Sequence, residues 1–238
     1  MDLISITIIY LFISMLFSAF MAITIFELRR YFGLSLTYAY LGLIYSMAIL
    51  TASFLYHNIY GIYVTLGSVA LFPTIIFIIM LVYISCGLEY AREGMYSVIY
   101  ANIFYTLCLA LMGYGMTVRG TVIFYNIRPE LFMQGVRITL SGTLIFIIDV
   151  LLVVFIYTYL EKRLHESCDI FVHIFVTMFS VLMFDATAFP TLAFYGDPMY
   201  MNILSAHIIG KTFATAIFSI ILRAYVGLRG PIGKGGEV

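Results

Sequence analysis

The sequence predicts an all-α integral membrane protein, a bundle of seven transmembrane helices, and three observations lead there. Hydrophobic residues fill 63% of the 238 positions and charged residues 10%, with a mean hydropathy of +1.08. That leaves too little polar surface to cover a water-soluble globule. Seven segments each supply the roughly 20 predominantly apolar residues that a crossing needs. None of them alternates with period two, as barrel strands would, so the spans read as helices.

The first span covers 3–27. Its apolar stretch is too long for a signal peptide, no basic residue precedes it, and no small-residue cleavage site follows, so it is expected to stay in the mature chain. The next spans fall at 35–57, 63–86, 94–118, 137–160, 169–196 and 200–228. Pro73 in the third and Pro190 in the sixth lack the N–H that a helix ladder requires, which predicts kinks in those two helices. LFPTIIF at Leu71–Phe77 echoes AFPTLAF at Ala188–Phe194. Both prolines nevertheless fall in the same half of the membrane, whereas an inverted repeat would place them in opposite halves. Residues 1–228 thus form one membrane domain, and 229–238, rich in glycine, read as a short flexible cytoplasmic tail.

The loops set the orientation. With the N-terminus outside, the inner side receives Arg29, Arg30, Arg92, Lys162, Arg163, Arg223, Arg229 and Lys234, and the outer side Arg119, Arg128 and Arg137. Eight against three predicts N-out and C-in. The one long connection, Arg119 to Gly135, mixes aromatic and aliphatic residues with arginines, and is expected to lie at the interface and cap an outer vestibule.

Composition also excludes whole classes of function. Twelve basic and twelve acidic residues cancel, so no field of one sign points to nucleic acid. Cys86, Cys108 and Cys168 show no C-x-x-C spacing and read as small apolar residues. No two of the four histidines stand at i, i+4 with a carboxylate to complete a zinc site, so no metal site is legible. Neither a cofactor motif nor a nucleophile–base pair stands out, so the chain is not expected to be an enzyme or to carry a cofactor. Its partners are the lipid bilayer and a small-molecule ligand, with a homo-oligomer left open, in a multi-pass protein of the cell membrane.

Within the spans the ionisable residues are few: Asp149 in the fifth, His173 and Asp185 in the sixth, His207 and Lys211 in the seventh. A central charge costs about 2.5–3.5 kcal/mol on insertion scales, so such groups face a polar interior and have partners. Asp185 lies 13 residues before Pro198 and Lys211 lies 13 after it. Across a tight hairpin both therefore sit about 20 Å from the turn, at matching depth. An Asp185–Lys211 ion pair is geometrically natural, with Asp149 at a similar level competing for the same lysine. Two carboxylates and one lysine leave net negative charge, which favours a cationic or proton-donating ligand. His207, Lys211 and Thr215 follow at i+4 and make a polar stripe, either helix glue or a ligand path. Pro190 leaves the carbonyl of Ala186 without its helical donor. Asp185, that carbonyl and Thr187 then line a small polar pocket, unless Thr187 bonds back to its own helix and the kink serves packing alone.

FDATAFPTLAFYGDP at Phe184–Pro198, followed by Gly210–Lys211, resembles the closing motif of the VUT family of membrane proteins, the queuosine-precursor transporters. TLGSVALFP at Thr65–Pro73, the G-x-x-x-A-R of Gly87–Arg92 and IIDVLLVVFIYTYLEKR at Ile147–Arg163 extend the resemblance over residues 64–228. The resemblance implies a bundle that recognises a 7-deazaguanine base, a queuosine or archaeosine precursor, with Asp185 and Lys211 in the substrate site and Asp149 nearby. A carboxylate suits the amidine-like edge of such a base or an aminomethyl group on it. On this reading the chain transports a small heteroaromatic solute. The alternative is a ligand-sensing or partner-binding bundle without transport. A lysine in the last of seven helices also fits a retinal protein, but the chain has no tryptophan and no aspartate in the third span.

Overall fold

The computed structural model describes residues 3–118, 129–163 and 169–229. Its elements are α1 (Leu3–Glu27), the short α2 (Arg29–Phe32), α3 (Ser35–Phe54), a hairpin of β1 (His57–Ile59) and β2 (Ile62–Val64), a π-helical turn (Gly67–Leu71), α4 (Phe72–Cys86), α5 (Leu88–Thr117), α6 (Pro129–Arg163), α7 (Ile170–Phe194) and α8 (Tyr200–Arg229). Seven of these helical stretches are long and apolar enough to cross a membrane. The chain is an all-α seven-helix bundle and a multi-pass membrane protein.

The bundle is organised around α4. Pro73 through Val82 are all buried, because this helix is apolar on every side and touches α1, α3, α5, α6, α7 and α8. An all-round apolar helix belongs at the centre of a bundle. The rim shows the reverse. Phe20 on α1, Phe104 and Leu111 on α5 are 67%, 70% and 69% exposed, an arrangement tolerable only where the surroundings are acyl chains.

Turn chemistry explains the short connections. Gly87, with φ 103°, separates α4 from α5 with no intervening loop, a left-handed conformation that glycine adopts without steric cost. In the hairpin Tyr60 and Gly61 both have positive φ (52° and 84°), and the Asn58 carboxamide oxygen accepts from the Gly61 N–H at 2.8 Å. Two positive-φ residues give the twist that joins strands through a two-residue loop. The hairpin rests on α1, with His57 and Tyr10 rings 5.6 Å apart.

Several expected boundaries shift. The fifth span, read as 137–160, lies in α6, which begins at Pro129. The residues numbered 129–135 therefore continue a helix rather than lying along the interface, and 119–128 fall outside the described residues. The tail from 230 onward and Cys168 also fall outside them. The third span carries a hairpin and a π turn before its α-helix, whereas a single helix from 63 was expected. Pro73 supplies the reason. It has no N–H for the carbonyl of Val69, and the Phe72 N–H bonds to the Gly67 carbonyl five residues back instead, so the ladder widens by one residue ahead of the proline. Pro190 lies inside α7, which is helical on both sides of it. Cys86 and Cys108 are free, half-buried thiols.

Candidate functional site

α7 and α8 form an antiparallel hairpin. Gly196 turns the chain with φ 88°, and the Asp197 carboxylate accepts from the Met199 N–H at 2.8 Å. The guanidinium of Arg137 on α6 reaches the last carbonyls of this end, Leu192 at 3.4 Å and Tyr195 at 3.5 Å, as cations do at helix C-termini. At the other end Asp169 caps α7 by accepting from the Phe171 N–H at 2.9 Å. The same carboxylate takes Arg223 of α8 bidentately, at 2.7 and 3.3 Å. That pairing, with the cap bond, holds the Asp169 carboxyl below its ordinary range.

Midway along this hairpin Asp185 and Lys211 form an ion pair, with side chains 3% and 1% exposed. The Lys211 ammonium also stands 4.9 Å from the centre of the Phe72 ring, a cation–π geometry. Asp149 of α6 interacts electrostatically with the same lysine. It is fully buried, and neither of its oxygens has a hydrogen-bond partner among the described residues. One turn from Lys211, His207 is 3% exposed and lies against Phe189, ring centres 5.6 Å apart at 31°. Its Nδ1 has no partner among the described residues.

Asp185, Lys211, His207, Phe189, Phe72, Tyr45 and Ser68 are among the walls of a cavity of about 30 Å³. One water needs about 10–15 Å³ on this measure, so the space holds roughly two waters and no bicyclic base. Small residues bring its walls together. A β-carbon on Gly67 would meet the Ala48 carbonyl and lie 2.6 Å from the Thr51 hydroxyl, and one on Gly142 would lie 2.8 Å from the Tyr45 hydroxyl. Such glycines let helices approach at backbone distance where no hydrophobic effect drives them together. Ser68 is held in the π turn by Thr65, whose hydroxyl accepts from the Ser68 N–H at 3.1 Å and meets its hydroxyl at 3.0 Å.

The structure brings Asp185, Lys211 and His207 together and sets Asp149 beside them. The other sequence candidates lie elsewhere. His173 sits in the first turn of α7, its Nδ1 3.4 Å from the Asp169 carbonyl and its ring against Tyr157. Twelve residues of helix, about 18 Å, separate it from Asp185. Thr187 is exposed, does not line the cavity, and bonds back to the Met183 and Phe184 carbonyls of its own helix at 3.2 and 2.9 Å, the packing alternative rather than the pocket. Thr215 is buried, but its hydroxyl donates to the Lys211 carbonyl at 2.8 Å and it does not line the cavity. Tyr45, Ser68, Phe72 and Phe189 were not anticipated as wall residues. The available signal for two of them was the T-L-G-S-V-A-L-F-P stretch, where a glycine and a proline bracket an apolar turn.

A bundle built round an apolar central helix, with an ion pair and a second carboxyl sealed at mid-depth, defines a multi-pass membrane protein with an internal ionic centre. The chain belongs to the Vitamin uptake-like sensor family, VUPS, whose family model matches residues 18–226. The match takes in the end of the first span and all of the second, ahead of the motifs read from residue 64 onward. No curated protein and no solved structure matches the chain.

Proposed function

We propose that this protein of the cell membrane recognises a small, flat heteroaromatic solute of the 7-deazaguanine type at the Asp185–Lys211 centre, and that recognition there serves sensing. The observation that carries the reading is the buried ion pair, with Asp149 beside it and without a hydrogen-bond donor among the described residues. A carboxyl in a low-dielectric interior is costly unless something donates to it, and the amidine-like edge of such a base offers two donors in one plane. Phe189, Phe72, His207 and Tyr45 supply ring surfaces for a flat ligand. The role is binding and conformational response, not catalysis.

The size of the cavity supports sensing in particular. A ligand that must enlarge a space of about 30 Å³ changes the protein's conformation as it binds, and differential affinity for two conformations is what a sensor requires. Transport is the second reading, favoured by the resemblance of Phe184–Pro198 and Gly210–Lys211 to the VUT transporters. One pair of measurements separates them: thermal shift of the purified protein with 7-aminomethyl-7-deazaguanine, and uptake of the same labelled base into reconstituted vesicles. Stabilisation without uptake supports sensing, stabilisation with saturable uptake supports transport, and neither effect rejects the proposed ligand class.

A further inference from the structure

We infer that the groove between α5 and α6 is a binding site for an anionic glycerophospholipid. It encloses about 640 Å³ and stands apart from the ionic centre. On α5 its walls follow Leu88, Arg92, Met95 and Tyr96, and on α6 they run from Val150 to Lys162. Val150 and Lys162 stand twelve steps of α6 apart, about 18 Å, close to the half-thickness of a hydrocarbon core of about 30 Å. The groove is therefore about one leaflet deep.

Its charge is concentrated at one end. Arg92 stands in the second turn of α5 and Lys162 is the penultimate residue of α6. Both are exposed, and neither has an ion-pair partner among the described residues. Tyr96 and Tyr159 flank them at the level where amphipathic rings settle in a headgroup region, and Arg163 lies over the Tyr159 ring at 5.8 Å. The nearby carboxylates do not line the groove. Glu93 accepts from Tyr38 of α3 at 3.0 Å, and Glu89 and Glu161 are not among the wall residues. Below the cations the walls are apolar apart from Thr158, whose hydroxyl is engaged by Tyr83 at 2.8 Å, so the site joins a cationic mouth to an acyl-chain channel. A lipid of the adjoining leaflet fits both halves, whereas a free phosphate fits only the mouth.

Each cation near an anionic lipid surface contributes about fivefold in affinity, hence about 25-fold for two. The test is lipid retention by native mass spectrometry, with phosphatidylglycerol and phosphatidylcholine of identical acyl chains in competition. The wild type is expected to prefer phosphatidylglycerol by about 25-fold, and Arg92→Gln/Lys162→Gln to lose that preference while Arg29→Gln/Arg30→Gln keeps it. Val154→Phe, which retains both charges but fills the channel, should lose the bound lipid. Equal retention of the two lipids by the wild type, or an unchanged preference in the Arg92/Lys162 variant, overturns the site. So does displacement of the lipid by glycerol phosphate at matched concentration, since the acyl channel would then contribute nothing. Helical circular dichroism confirms that each variant is folded, and Val154→Phe tests the site even if the charge variant is not.

Discussion

Replacing Lys211 by methionine keeps most of the side chain's volume and removes the one cation that, among the described residues, faces both Asp185 and Asp149. Breaking a buried pair by deleting one partner costs about 3–5 kcal/mol, because the remaining charge has no compensation. Exposures of 1% and 3% place this pair at the buried extreme, and here two carboxyls lose their cation at once. The expected loss is about 4–5 kcal/mol, or about 8–20 °C in the melting midpoint of a chain this size. Asp185→Asn should be milder, about 3 kcal/mol, because Asp149 remains for the lysine. The double variant Asp185→Asn/Lys211→Met still leaves Asp149 alone, so it should recover only in part. Adding Asp149→Asn should bring the midpoint back close to wild type, since neutral residues of similar volume commonly replace buried charges without loss. Circular dichroism at 222 nm during heating in detergent reads all four variants. A Lys211→Met shift below about 2 °C, or equal shifts for the two single variants, would refute the reasoning.

Gly67→Ala should destabilise by about 1–3 kcal/mol by forcing a β-carbon against α3, whereas Gly115→Ala should be neutral within about 0.5 kcal/mol; equal midpoints would show that α3 yields freely. The Asp169 carboxyl is held below its ordinary range by Arg223, so its contribution is present above about pH 4 and is lost as pH falls through the lower folded value. Arg223→Gln should accordingly flatten the acid side of the stability–pH profile and leave pH 6–8 unaltered in shape, and an unchanged acid limb would count against the pair. Cysteines introduced at Arg119 and Glu237 should be labelled from opposite faces of the membrane; labelling from one face overturns the N-out, C-in orientation.

The number of spans and most of their limits were legible because each crossing must close its own hydrogen bonds with about 20 apolar residues, a signal that depends on nothing distant. The Asp185–Lys211 pair was legible for a similar reason: a short hairpin fixes depth by counting alone. What could not be counted is rotation about the helix axis. Thr187 lies two residues from Asp185 and points to the opposite side, and Tyr45 enters the site from α3 through packing that no local spacing encodes. The β1–β2 hairpin was hidden inside a hydropathic run, although Tyr60–Gly61 between β-branched residues is its local mark. The π turn follows from Pro73 in hindsight, but a proline alone does not say whether a ladder bends or widens.

The α7–α8 pair is fastened at three heights: by the Gly196–Asp197 turn, by Asp185–Lys211 and by Asp169–Arg223. Fasteners spread along two parallel rods resist shear, because sliding one rod by a single helical turn, about 5.4 Å, would have to break both ion pairs together. The pair is thus stiff along its length and can yield only by swinging as one beam. Any room made for a guest beside Lys211 must then appear on the side facing α3 and the π turn, where glycine contacts rather than charges hold the seam.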